Sequence, residues 1–308
     1  MGLKEQLLDP SNPIVFFEQV PPPADRPESL QSTLEELGKV RGLVDAINIP
    51  EIHDEERKGD RTYKFVPRVE PRILGARIAR ELNTEVVINR VVVHSPDQLD
   101  WLRQSYAEYG VRHVVLVGGE SSQVSYPGPN VTETALQAQA AGMAVCLGGI
   151  TIPSRDHEAD RIRAKNAAGL QFFTSQILFD SNDVVWLVQR LNGVAARVFL
   201  SFCPVSHPGD LKFLRWLGAD IPNDLDRFLL EGNNGSGVSA ETCFERSLNL
   251  AQRILMDVFD NLPPDPPALG LNIEHINQRN YRGAIKMLDQ LGNLYSNLVA
   301  ARARASLA

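Results

Sequence analysis

A chain of 308 residues with 43% hydrophobic and 22% charged side chains can bury a sizeable core, as one large domain or two ordinary ones. Its net charge of −7 argues against nucleic acid or an anionic membrane as the main partner, and no apolar run approaches the roughly 18 residues that span a bilayer. The first residues lack the apolar stretch of a signal peptide, and Cys146, Cys203 and Cys243 are too few and too scattered for a disulfide framework or a zinc site, so a reducing cytoplasm is the expected location.

The first element is the strand candidate at 14–19, Ile14-Val15-Phe16-Phe17-Glu18-Gln19, followed closely by Pro21-Pro22-Pro23. Four apolar residues in succession predict a strand buried on both faces, and the prolines stop its ladder because they have no N–H to give. Further strands are predicted at 44–49, 85–93, 113–118, 143–149, 170–179, 196–203 and 268–274. Helical patterns lie near 27–42, 67–83, 96–109, 131–141, 156–168, 182–192, 207–217, 238–260 and 279–305. Ser95 reads as a cap before Pro96 at a first helical position, Asn130 as a cap before Val131, and Gly142, Gly169 and Gly193 as the glycines that end helices. Residues 219–237 read as an insertion whose Asn/Gly/Ser-rich end is a flexible loop.

Eight strand-then-helix units predict a (β/α)8 TIM barrel over residues 1–308, with no linker that divides it. The competing open, doubly wound sheet needs a Gly-x-Gly-x-x-Gly turn after a strand, which does not occur. In a barrel the carboxyl ends of the strands form the catalytic rim. The polar residues expected there are Glu18, Asn48, Glu51, Asn89, Glu120, Gln176, Ser201, Ser206 and Asn272. Glu18 is costly to bury and is therefore paired or working. Gly118-Gly119 would let a flat ligand approach the backbone in front of Glu120, and Gln176 offers a paired donor and acceptor to the edge of an amide-like heterocycle. Asp156-His157-Glu158 opens a helix, where acids favour the dipole, and the six histidines show no metal-binding spacing. Nucleophile elbows and Walker loops are absent. What remains suits proton donation to a neutral heterocycle beside hydride transfer.

Several motifs then agree with one family in order and spacing. Phe17-Glu18-x-x-Pro21-Pro22, Ser95-Pro96-Asp97-Gln98-Leu99, Arg112 to Glu120, Lys165 to Gly169 with Ser175 to Asp180, and Cys203-Pro204-Val205-Ser206 with Ile221-Pro222 resemble stretches of the methylenetetrahydrofolate reductase barrel. The resemblance covers nearly the whole chain and leaves no room for the regulatory domain of animal enzymes. It implies reduction of 5,10-methylenetetrahydrofolate to 5-methyltetrahydrofolate with NADH or NADPH, in one-carbon metabolism and methionine biosynthesis. It implies Glu18 as the acid that protonates the folate N5 and opens an iminium, and Gln176 as a pterin contact. Glu120 would lie near flavin and pterin, and Lys165 near the phosphates or ribitol of FAD. Gly118 and Gly119 fall where the family holds FAD, and Glu51 lies close enough to the rim to meet substrate.

Departures fall on the flavin side, where Gly118 stands for an arginine and Glu120 for an aspartate. That pattern also resembles the flavin-free mycobacterial type, in which a nicotinamide would hand its hydride directly to the pterin; a deazaflavin carrier is a third option. The sequence also leaves open a non-catalytic or electron-accepting subunit of a larger complex, the same reaction run toward oxidation of methyl-folate, and a homo-oligomer. Glu18, Glu120 and Gln176 are expected to face one cavity.

Overall fold

The computed structural model describes residues 2–54, 61–119, 124–232 and 235–305. A short helix, α1 (Leu3–Gln6), precedes β1 (Ile14–Glu18), and strands and helices then alternate. They run α2 (Pro27–Val40), β2 (Ala46–Pro50), α3 (Pro71–Leu82), β3 (Glu85–Val91), α4 (Gln98–Tyr109), β4 (His113–Val117), α5 (Val131–Ala140) and β5 (Cys146–Thr151). The second half runs α6 (Glu158–Ala167), β6 (Phe172–Ile177), α7 (Asn182–Arg190), β7 (Arg197–Phe202), α8 (Pro208–Trp216), α9 (Leu225–Leu230), α10 (Ala240–Asp260), β8 (Ala268–Ile273) and α11 (Gln278–Ala305). All eight strands pair in parallel with their sequence neighbours, and β8 closes onto β1, so the architecture is the expected (β/α)8 barrel.

Alternation along the strands sorts the apolar residues into two cores. Ile14, Phe16, Ala46, Val87, Val115, Cys146, Phe172 and Phe199 point inward and fill the barrel. Their neighbours Val15, Phe17, Ile47, Ile88, Val114, Phe173, Val198 and Leu271 point outward under the helices. This is why β1 reads as an unbroken apolar run: both of its faces are buried. Inside, the Phe16 and Phe199 rings stack at 3.9 Å and Phe172 meets both edge-on. Gly148 and Gly270 make room for these rings, since a Cβ at either would lie within 2.5 Å of Phe172 or Phe199. The three phenylalanines are a dry floor across the barrel.

Below that floor the barrel is shut by a charge. Arg197, fully buried at the start of β7, donates to the backbone carbonyls of Gln6 (3.3 Å), Leu7 (2.7 Å), Asp9 (2.6 Å) and Asn12 (3.1 Å), and also to that of Leu269. The N-terminal segment therefore caps the amino end, and substrate access is left to the carboxyl end.

The predicted caps mostly hold. Asn130 accepts from the Glu133 N–H and Glu133 returns the bond, while Gly142, Gly169 and Gly193 take positive φ of 62°, 104° and 76°. Ser95 does not cap α4. A 3-10 turn at Val92–His94 comes first, the Gln98 amide ties back to the carbonyls of Val92 (2.8 Å) and Ser95 (2.7 Å), and the helix starts at Gln98. In the 219–237 insertion, Asn233 and Asn234 of the expected flexible loop lie outside the described residues. The insertion holds α9, and beyond it Glu231 bridges to Gly237 and the Gly232 N–H donates to the Ser236 carbonyl (2.6 Å). The three cysteines are buried free thiols, as their apolar surroundings lead one to expect.

Candidate functional site

Glu18 is the inward residue at the carboxyl end of β1, directly above Phe16. Register pairs Phe17 with Ile273, so the next residues along the seam are Glu18 and Glu274. Both carboxylates sit at the mouth with part of their surface accessible. Asn48, at the same level on β2, donates to Glu18 at 3.1 Å; Asn272 donates to Glu274 at 3.0 Å and to the Ser201 hydroxyl at 3.0 Å.

The aromatic floor and the surrounding strands strip water from this pair. Burial, then the negative charge of Glu274, pushes the Glu18 carboxyl well above its ordinary range. Burial likewise pushes Glu274 up to about 7, against hydrogen bonds from Ser201 and Asn272 that favour its anion. Two such acids side by side are not both ionised at neutral pH. The seam therefore stores a proton in a position where a ligand in the mouth could take it.

Amide and hydroxyl groups ring the pair. The buried Oδ1 atoms of Asn48, Asn89 and Asn272 and the Oγ1 of Thr174 have no hydrogen-bond partner among the described residues. Unused acceptors at the mouth of a barrel are costly unless a ligand rich in N–H groups satisfies them. Sequence reading identified Asn48, Asn89, Ser201 and Asn272, all of which lie in this ring. It missed Glu274, although Glu274 ends the strand predicted at 268–274 and lies two residues from Asn272, on the same face.

The other candidates are placed differently. Gln176 lies at the end of β6 at a register shift between Thr174 and Ile177, where a bulge re-aims the side chain. Its Nε2 donates to the Leu217 carbonyl (3.2 Å) and its Oε1 accepts from the Ile177 N–H (2.9 Å). It lines a pocket of about 130 Å³ with Ile152, Phe179, Asp183 and Asp220. Glu51 is committed to structure: it holds Arg90 at 2.6 Å and accepts from Val91 N–H at 2.8 Å. Burial would raise its carboxyl, but His53, Arg90 and the Val91 N–H together keep it below the ordinary range. Ser206 binds Asp210 at the start of α8. Glu120 lies outside the described residues.

The residues expected to hold a flavin are engaged within the protein. The face of Gly119 is covered by the Tyr126 ring, and a Cβ there would lie 2.3 Å from it. Tyr126 continues through His94 (6.2 Å) to His53 (4.9 Å further) as a row of edge-on rings. At Gly118 a Cβ would meet Val131 at 3.5 Å. Lys165 donates to the Ile150 carbonyl at 3.0 Å, and burial draws its ammonium below the usual range.

A strap crosses the mouth. After β2 the chain reaches α8, where the Arg61 guanidinium lies over Trp216 (4.9 Å). Tyr63 then joins Asp210 (3.3 Å) and Arg279 (3.0 Å), at the starts of α8 and α11. Residues 67–69 finally pair with 22–24 just beyond β1, through Ala24 N–H to Pro67 and Val69 N–H to Pro22, both 2.9 Å. Residues 61–69 therefore follow the exits of β7, β8 and β1, the arc that contains Glu274 and Glu18.

No family model matches the chain, and no curated protein does. Among solved structures, an uncharacterized protein from Clostridium thermocellum that binds two copies of 5-methyl-5,6,7,8-tetrahydrofolic acid superposes with a TM-score of 0.72 at 19% identity, covering 95% of this chain and 99% of that one. A 7,8-dihydropteroate synthase from Vibrio fischeri ES114 aligns with a TM-score of 0.48 at 12% identity, over 97% and 95% of the two chains. The first likeness establishes the fold; the second is too loose to carry an argument.

Proposed function

We propose that the protein binds a reduced folate at the carboxyl mouth of the barrel and reduces 5,10-methylenetetrahydrofolate to the 5-methyl form. The observation that carries this reading is the adjacent Glu18–Glu274 pair at the mouth, both carboxyls raised by burial and ringed by unused amide acceptors. A pterin presents ring N–H and amino donors to such acceptors, and the methylene bridge needs a proton before hydride can add. The superposable Clostridium protein binds 5-methyltetrahydrofolate, which is the product of that reaction.

The proton goes to N10, the amine that leaves, rather than to N5 as the family resemblance first suggests. Breaking the methylene–N10 bond draws the N5 lone pair into an iminium, and hydride then adds to the exocyclic carbon to give the methyl group. One hydride and one proton are consumed for each methyl formed. Glu18 supplies the proton, Asn48 orients its carboxyl, and Glu274 keeps it loaded. With Tyr126 on Gly119 and Lys165 on a backbone carbonyl, a nicotinamide is the hydride donor this reading favours, meeting the pterin directly.

The test combines kinetics with one spectrum. Direct transfer requires both substrates bound together, so NADH or NADPH varied against methylenetetrahydrofolate should give intersecting double-reciprocal lines, with methyl-folate as product and no visible flavin absorbance. A tightly held yellow cofactor with parallel lines would restore FAD. Binding of methyl-folate without turnover in either direction would reduce the protein to a folate-binding barrel or a subunit of a larger complex.

A further inference from the structure

Two arginines of the strap carry nitrogens that the fold does not satisfy. Arg61 Nε and Nη1, Arg68 Nε and the Thr62 hydroxyl are buried without a hydrogen-bond partner among the described residues. Among the described residues Arg61 is paired only with Asp54, 3.6 Å from Nη1, beyond hydrogen-bond reach and on a side chain 73% exposed. Arg68 Nη1 reaches the Pro21 carbonyl at a long 3.4 Å. Both guanidinium groups are held in place: Arg61 lies over the Trp216 and Phe65 rings at 4.9 and 5.3 Å, and Arg68 belongs to the backbone pairing with residues 22–24.

The Arg61 charge works against Arg68. Burial and then the Arg61 charge draw Arg68 below its usual range. Neither offsets the acids beneath: the shift of Glu18 comes from burial and Glu274, and that of Glu274 from burial opposed by Ser201 and Asn272. Two fixed guanidinium groups with buried, unused N–H groups cost free energy in the unliganded protein. An oxyanion between them would satisfy the N–H groups and the repulsion together, because a guanidinium fork matches two oxygens of a carboxylate or a phosphate.

We propose that Arg61 and Arg68 form a clamp for the anionic end of the ligand whose other end lies in the barrel mouth. This rests on the reading of the mouth as a pterin site. The chemistry fits the glutamyl carboxylates of a folate, and a phosphate of a dinucleotide cosubstrate would present the same groups.

Calorimetric titration of the full chain separates these cases, with four probes: 5-methyltetrahydrofolate, a tetrahydropterin without the tail, p-aminobenzoylglutamate, and adenosine 2′,5′-bisphosphate. In Arg61→Met and Arg68→Met, binding of 5-methyltetrahydrofolate and of p-aminobenzoylglutamate should weaken about ten- to a hundredfold. The tail-free pterin should bind within about twofold of wild type. Arg61→Lys and Arg68→Lys, which keep the charge, should fall between, and melting temperatures should confirm that every variant folds. Loss confined to the bisphosphate would assign the clamp to the nucleotide. Equal loss for tailed and tail-free pterins, or no loss for any probe, would overturn it. If wild type binds the tail fragment but no pterin, the clamp stands and the pterin reading falls.

Discussion

Glu18→Gln keeps the size of the side chain and its place beside Asn48 but has no proton to give. Folate reduction should fall by about 10² to 10⁴, the usual worth of a general acid, while the melting temperature changes little. Glu274→Gln tests the other half of the pair. Removing that negative charge lets the Glu18 carboxyl return toward its ordinary range, so the alkaline limb of the pH–rate profile should move to lower pH. Stability should respond in the opposite sense. Glu274 has its pKa raised in the folded protein, so the native state holds more protons than the unfolded chain across the window from the ordinary glutamate value up to about 7. Wild type therefore loses stability as pH rises through that window. Glu274→Gln should melt higher than wild type at pH 8, with the difference gone near pH 4. The carboxylate of β1 was legible in the sequence because a charge ends an apolar run. Its partner was not, because the pair exists only where the last strand closes onto the first.

At the scale of elements, the strands were legible because burial on both faces leaves continuous apolar runs, and the capped helices because Asn130 and the positive-φ glycines have fixed geometric uses. What local pattern could not show is where a side chain goes when an element is irregular. The bulge in β6 turns the Gln176 amide onto Leu217, and the glycine pair after β4 receives the protein's own tyrosine. Gly119→Ala would drive a methyl group into the Tyr126 ring and should destabilise the protein by about 1–3 kcal/mol, as overpacking does. Adding Tyr126→Ala should recover much of that loss, and a denaturant-melt double-mutant cycle measures the coupling. If the two substitutions are simply additive, Tyr126 does not own that space. The strap was invisible for a different reason: the helix predicted at 67–83 took in Arg68, although α3 starts only at Pro71, nothing local marks Arg61 or Tyr63, and only the closed barrel brings their partners from α8, α11 and the segment after β1 beside them.

For the whole molecule, Arg197 is the fastening of the amino end. Arg197→Met would strand the carbonyls of residues 6, 7, 9 and 12 and should cost at least about 3 kcal/mol in a urea melt. Deleting residues 2–12 should cost more, because it leaves a buried guanidinium with fewer acceptors. The same fastening has a consequence for how the protein is made. Leu7 waits for a partner 190 residues downstream, which at about 5–20 residues per second is roughly 10 to 40 seconds of synthesis. The seam between β1 and β8 closes later still, since its second strand begins only at Ala268. Glu18 and Glu274 stand on the two sides of that seam. The acid pair is therefore born with the final joint, and in refolding from urea the return of activity should coincide with the slowest structural phase. Activity that recovers ahead of that phase would show that the proton can be held by a barrel still open.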